Sequence, residues 1–227
     1  MTARLLSIVL ALVCAGCSEE NARADEVKDA TSSSPTHLAK GKWAPRDTCT
    51  EVEGADLFRA NLATAVKARD ADALVALAAD DVELDFNGGE GPDELRSRLD
   101  AEAGLWDELD KLMTLGCSAN ANGNLAIPWL FDQDLGDVDP FSTLLVTAED
   151  EPVRAGPSAS AQQIGTVSWD LVETALFDWE APFQPVTLAD GREGYIATGK
   201  LRSVIDFRLI AARQDGRWKI TALVAGD

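Results

Sequence analysis

Apolar positions change period several times along this chain, and each change marks an expected element. Over 55–69, Leu57, Phe58, Leu62, Ala65 and Val66 recur at helical spacing behind Gly54, which predicts an amphipathic helix. Asp70 is placed to cap a second, shorter helix over 71–79 that carries Leu74, Val75 and Leu77. At 81–86 the period falls to two: Val82, Leu84 and Phe86 alternate with Asp81, Glu83 and Asp85, the pattern of a half-buried strand. Beyond a glycine-rich turn at 87–91, Pro92 opens another helical stretch. Its apolar face holds Leu95, Leu99, Leu105, Trp106, Leu109, Leu112 and Met113, with a break expected at Gly104 and with Asp107 and Lys111 spaced to pair across one turn. The run 125–131 is short and apolar, and Pro128 inside it predicts an edge strand, because proline has no amide hydrogen to give a ladder.

From 144 to 203 short alternating runs are punctuated by turn residues, the pattern of a small β-barrel. The chain then closes with two alternating segments, 204–213 and 217–224, joined through Gln214-Asp215-Gly216, which predicts a hairpin. Ile205, Phe207, Leu209 and Ala211 are placed to face Trp218, Ile220, Ala222 and Val224.

Two resemblances rest on these stretches. Val153-Arg154-Ala155-Gly156-Pro157-Ser158 resembles the first signature of a bacterial SH3 domain, and the hairpin ending Gly194-Tyr195-Ile196 is similar to its later G-Y/W-V. The sequence WEAPFQP at 179–185 departs from it, standing where that family has a Trp-x-x-Val strand. AVKARDADALVALAADDVELDF at 65–86 and the closing DGRWKI at 215–220 look like the opening and the end of a nuclear transport factor 2-like, or SnoaL-like, domain. The resemblances imply an α+β fold in which a small all-β SH3-like barrel, 144–203, is inserted into a cone-shaped α+β domain. The first part of that domain is 43–143, and 204–227 completes it.

Composition changes the picture at the N-terminus. Arg4, the apolar run 5–13 and Cys14-Ala15-Gly16-Cys17 resemble a bacterial lipoprotein signal, 1–17, with Cys14 where that signal usually has leucine. The resemblance implies cleavage before Cys17, its lipidation, and, with Ser18 following, sorting to the outer membrane on the periplasmic side; an ordinary secretory signal is the alternative. The segment 18–42 is polar and nearly free of large apolar side chains, a disordered tether. With Cys14 removed and Cys17 acylated, Cys49 and Cys117 remain in an oxidising compartment. A disulfide between them is expected, two buried thiols being the other reading.

The balance of 20 basic against 39 acidic residues disfavours nucleic acid and anionic membrane surfaces, so contact with the membrane is expected through the N-terminal lipid alone. The single histidine, His37, lies in the tether, which takes the usual general base out of the folded part. With the two cysteines paired, Cys–His and zinc chemistry have no ligand set, and the acidic run 132–139 fails the EF-hand pattern at positions five, six and twelve. We therefore expect no cofactor, no metal and no catalytic residue. Arg154, Trp179 and Tyr195 are the expected ligand-binding residues, an SH3-type groove for a peptidoglycan peptide or an envelope partner protein. The alternative is a small-molecule-binding or isomerase-like role in an apolar pocket of the α+β domain, with Asp85 or Asp206 as the candidate base.

Overall fold

The computed structural model describes residues 39–101 and 103–226. The signal with Cys17, most of the tether and His37 lie outside the described residues. The fold is mixed α+β with two sheets, and no helix among the described residues is long and apolar enough to cross a membrane.

Helix α1, Ala55–Ala68, buries Ala55, Phe58, Leu62, Ala65 and Val66, ends where Arg69 turns left-handed, and leaves Leu57, expected on the apolar face, exposed because it points away from the core between Asp56 and Phe58. Asp70 caps α2, Ala71–Ala76, by accepting a hydrogen bond from the Ala73 amide at 2.9 Å. This helix is shorter than expected because strand β1, Ala78–Glu83, begins three residues early; the strand also ends three early, so Phe86, expected on its dry face, lies past it and is exposed. Its alanines read as helix in sequence, yet Ala78 pairs with Ile220 and lies in the core. Helices α3, Pro92–Ala101, and α4, Ala103–Leu112, follow.

Strands β2, Ser118–Ala119, and β3, Leu125–Ile127, form a short hairpin. β3 is not an edge strand: β2 covers one side and the C-terminal hairpin the other, and Pro128 falls just past the last ladder residue, where no amide is needed. That hairpin consists of β11, Arg208–Gln214, and β12, Arg217–Val224. It starts later than the alternation suggested. A register shift between Ile210 and Ala211 puts Leu223, not Ala222, in the core beside Leu209 and Ile220. The first sheet runs β1-β12-β11-β3-β2, with β1 parallel to β12. Leu62, Leu74, Leu95, Leu109 and Leu112 from the helices meet Leu125, Leu209 and Ile220 from the sheet, all essentially fully buried. Each such side chain contributes about 1.5–3 kcal/mol of burial. The Cys49–Cys117 disulfide, 68 positions apart, is part of this core. Such bridges persist in oxidising compartments outside the cytoplasm.

Between β3 and β11 the chain builds the second sheet from β4, Thr143–Val146; β5, Glu151–Arg154; β6, Gln163–Val167; β7, Leu171–Glu173; β8, Phe183–Leu188; β9, Glu193–Ala197; and β10, Leu201–Ser203. Its order, β10-β4-β7-β8-β9-β5-β6, wraps a small core of Leu144, Val146, Val153, Val172, Val186, Leu188, Ile196 and Leu201. The expected barrel is not closed: β10 and β6 end the sheet without pairing with one another, and much of β6, Ile164 included, is exposed. A third cluster of Trp43, Trp129, Leu130 and Leu145 packs the second sheet against the first half. The last residues of the expected tether are held to it as well. The Lys40 amide donates to Glu149 at 2.9 Å, and Gly41 lies so close to Ser168 that a Cβ there would meet its carbonyl oxygen at 2.1 Å.

Candidate functional site

Where α4 meets the second sheet the surface opens into a cleft of about 530 Å³. Its floor is Arg202 on β10, only 6% exposed although charged. An arginine that deep needs partners, and it has three. Nη1 lies 3.2 Å from both Glu108 Oε2 on α4 and Asp206 Oδ2, and Nη2 donates to the Phe207 carbonyl at 2.7 Å. Glu108 also receives Lys111 Nζ at 2.5 Å, so two cations and two carboxylates form one compensated row along the cleft. The pairing anticipated between Asp107 and Lys111 is not made. Asp107 instead joins Asp110 in holding Arg69, which ties the end of α1 to α4.

Aromatic walls face this row. Trp169, at a positive φ of 41°, has its carbonyl accepting from the Trp43 amide at 2.9 Å and shares its ring between the first and third clusters. Trp179 is 61% exposed, in the loop between β7 and β8. That loop is fixed from below by Gln184, 1% exposed. Its Oε1 accepts from the Asp178 amide at 3.1 Å, while its Nε2 donates to the carbonyl of Asp178 and to Thr198 Oγ1, the latter at 3.0 Å. Phe177 packs edge-on against Trp179 with ring centroids 4.0 Å apart. Trp179 is thus an exposed ring on an anchored loop, which removes much of the entropy cost of using it.

Of the three ligand-binding residues expected from sequence, Trp179 alone lines this cleft. Arg154 and Tyr195 are cross-strand partners on β5 and β9, and Arg154 Nη1 donates to the Ala161 carbonyl at 3.0 Å, bracing its own hairpin. Tyr195 borders a separate depression with Pro185 and Glu173. The groove expected from all three is therefore divided between two places. Asp206 lines the cleft, whereas Asp85 is held elsewhere by Arg98 and by the amides of Asn87 and Gly89, the Arg98 hydrogen bond above all lowering its pKa to about 2. Sequence reasoning passed over Glu108 and Arg202 and gave Lys111 only a pairing with Asp107. The one available signal was a lone arginine inside the short strand 201–203, and nothing in one dimension connects it to α4.

Among the described residues, one grouping has the spacing of metal ligands, Asp47 with Cys49 and Cys117, and both of its sulfurs are used in the disulfide.

No family model and no curated protein matches this chain. Among solved structures, a chain named Rd1NTF2_05, carrying five substitutions, is 11% identical and superimposes over 76% of this chain and 96% of its own with a TM-score of 0.29. A superposition that loose does not establish a shared fold.

Proposed function

We propose that this is an exported protein of the cell envelope, anchored at the outer membrane through Cys17, that binds a cell-wall component in the cleft without performing chemistry on it. The observation that carries this reading is Trp179, an exposed indole on an anchored loop at the mouth of a cleft that sets an ion-pair row among apolar side chains. A cavity of about 530 Å³ suits a short segment of a polymer. A stable protein partner needs roughly 800 Å² of surface on each side, which favours the cell wall over an envelope protein as the ligand. The disulfide agrees with a periplasmic site of action. On this reading the second sheet is a variant of the bacterial SH3 module, left open at β6, and its host is a nuclear transport factor 2-like domain; 143–203 then serves as the wall that turns one helix face into a binding cleft.

Retention on purified sacculi tests the proposal. The unmodified protein is expected in the pellet and Trp179→Ala mostly in the supernatant; absence of the unmodified protein from the pellet refutes cell-wall binding. A second reading, an isomerase-like pocket, draws on Asp206 in the cleft. It fits less well, because that carboxylate is committed to Arg202, and the space between the helices and the first sheet is filled by Leu62, Leu109 and Leu209.

A further inference from the structure

Donors and acceptors are unevenly distributed in this cleft, and the imbalance selects a class of ligand. Three threonine hydroxyls line it, and all three spend their proton on the protein. Thr114 donates to the Lys111 carbonyl at 2.7 Å, Thr147 to the Lys200 carbonyl at 3.2 Å, and Thr198 to the Ala181 carbonyl. What remains is lone pairs at Thr114 and Thr147, and a single one at Thr198, whose oxygen already accepts from Gln184 Nε2. Glu108 and Asp206 are acceptors as well, and a carboxylate oxygen that takes one ion-pair contact still has room for another donor. Apart from Arg202, the side-chain donors on this lining are Lys111 Nζ and the indole N–H groups of Trp169 and Trp179, fewer than the acceptor sites. The cleft thus presents a surplus of acceptors around a charge row that sums to zero.

A charged ligand gains little here. The row sums to zero, so an anion drawn to Lys111 meets Glu108 and Asp206 beside it, and a cation drawn to those carboxylates meets Arg202 and Lys111. A peptide unit points one donor and one acceptor in fixed, opposite directions, whereas a hydroxyl can turn its single proton toward whichever acceptor the cleft offers. A neutral molecule rich in hydroxyl donors, with an apolar face to lay on an indole, satisfies both conditions. We infer that the cleft binds a neutral saccharide, with one sugar ring stacked on Trp179 and its hydroxyls donating to Glu108, Asp206 and the threonine oxygens. The inference rests on the cleft being the binding site, and it selects the glycan strand over the peptide of the cell wall.

Calorimetric titration of the purified, detergent-solubilised protein with the tetramer of N-acetylglucosamine, beside a short peptide ending in two D-alanines, tests it. Saturable binding of the tetramer is expected. Raising the sodium chloride concentration tenfold should change its affinity less than about twofold, since the ligand brings no charge. Trp179→Ala should weaken it about tenfold with an unchanged circular-dichroism spectrum. Thr147→Val, at a half-buried position, should weaken it by a smaller factor and serves as the second variant if the first misfolds. Binding of the peptide but not the tetramer overturns the saccharide assignment and leaves the cleft as the site. Tetramer binding that both variants leave intact overturns the placement. Retention on sacculi with neither probe bound overturns this inference alone; loss of both retention and probe binding overturns the proposed function with it.

Discussion

Arg202 is the most informative single position to perturb, because its side chain joins the two halves of the fold. It leaves β10 of the second sheet, reaches Glu108 on α4 of the first, and is closed on the other side by Asp206 and the Phe207 carbonyl. Its side chain is 7% exposed, and those of Glu108 and Asp206 are 20% and 23% exposed. Replacing it with methionine keeps volume and removes charge. Glu108 retains Lys111, but Asp206 loses the ion-pair partner the structure gives it. Breaking a buried pair from one side costs about 3–5 kcal/mol. Partial access of water to both carboxylates places the expected loss at the lower end, about 3 kcal/mol. For a folded part of this size that lowers Tm by roughly 6–12 °C. Adding Asp206→Asn and Glu108→Gln removes the stranded charges and should restore most of the loss, since an apolar replacement of a whole buried network is often near neutral. Thermal unfolding followed by circular dichroism reads both variants. A single Arg202→Met variant within about 0.5 kcal/mol of the unmodified protein would refute the account, as would a triple variant less stable than the single one.

Two further outcomes follow from the same kind of argument. Opening the Cys49–Cys117 bridge by the double Cys→Ala change should cost about 4 kcal/mol for a loop of 68 positions, read as a fall in Tm that reductant reproduces in the unmodified protein; equal stability in the two forms refutes it. Asp85, held by Arg98 at a pKa of about 2, contributes stability that is complete above the ordinary carboxylate range and disappears as pH falls from there through about 2. The gap in Tm between the unmodified protein and Asp85→Asn should therefore be widest above pH 5 and close toward pH 2, and a gap independent of pH contradicts the assignment.

The sequence by itself determined the elements whose chemistry is local. The face of α1 follows from the spacing of Phe58, Leu62 and Val66, the start of α2 from the carboxylate of Asp70, and the closing hairpin from the turn at Asp215-Gly216, where both residues take positive φ. The cysteine pairing was legible because compartment and count constrain it. Trp179 was singled out in sequence as an expected ligand residue, and the structure leaves its ring exposed beside a turn-rich segment with little core to enter. What only the tertiary structure decided depends on contacts between residues far apart in the chain. Ala78 and Ala79 became strand because β12 offers a parallel edge, and β3 became interior because β2 and β11 cover it. The second sheet stayed open because β6 pairs with β5 alone and its outer edge does not reach β10. The separation of Trp179 from Arg154 and Tyr195, and the meeting of Arg202 with Glu108 across 94 positions, follow from the way the second sheet docks on α4. Periodicity records which face of an element is dry. It carries no record of which dry faces meet, and the cleft exists only where two of them do.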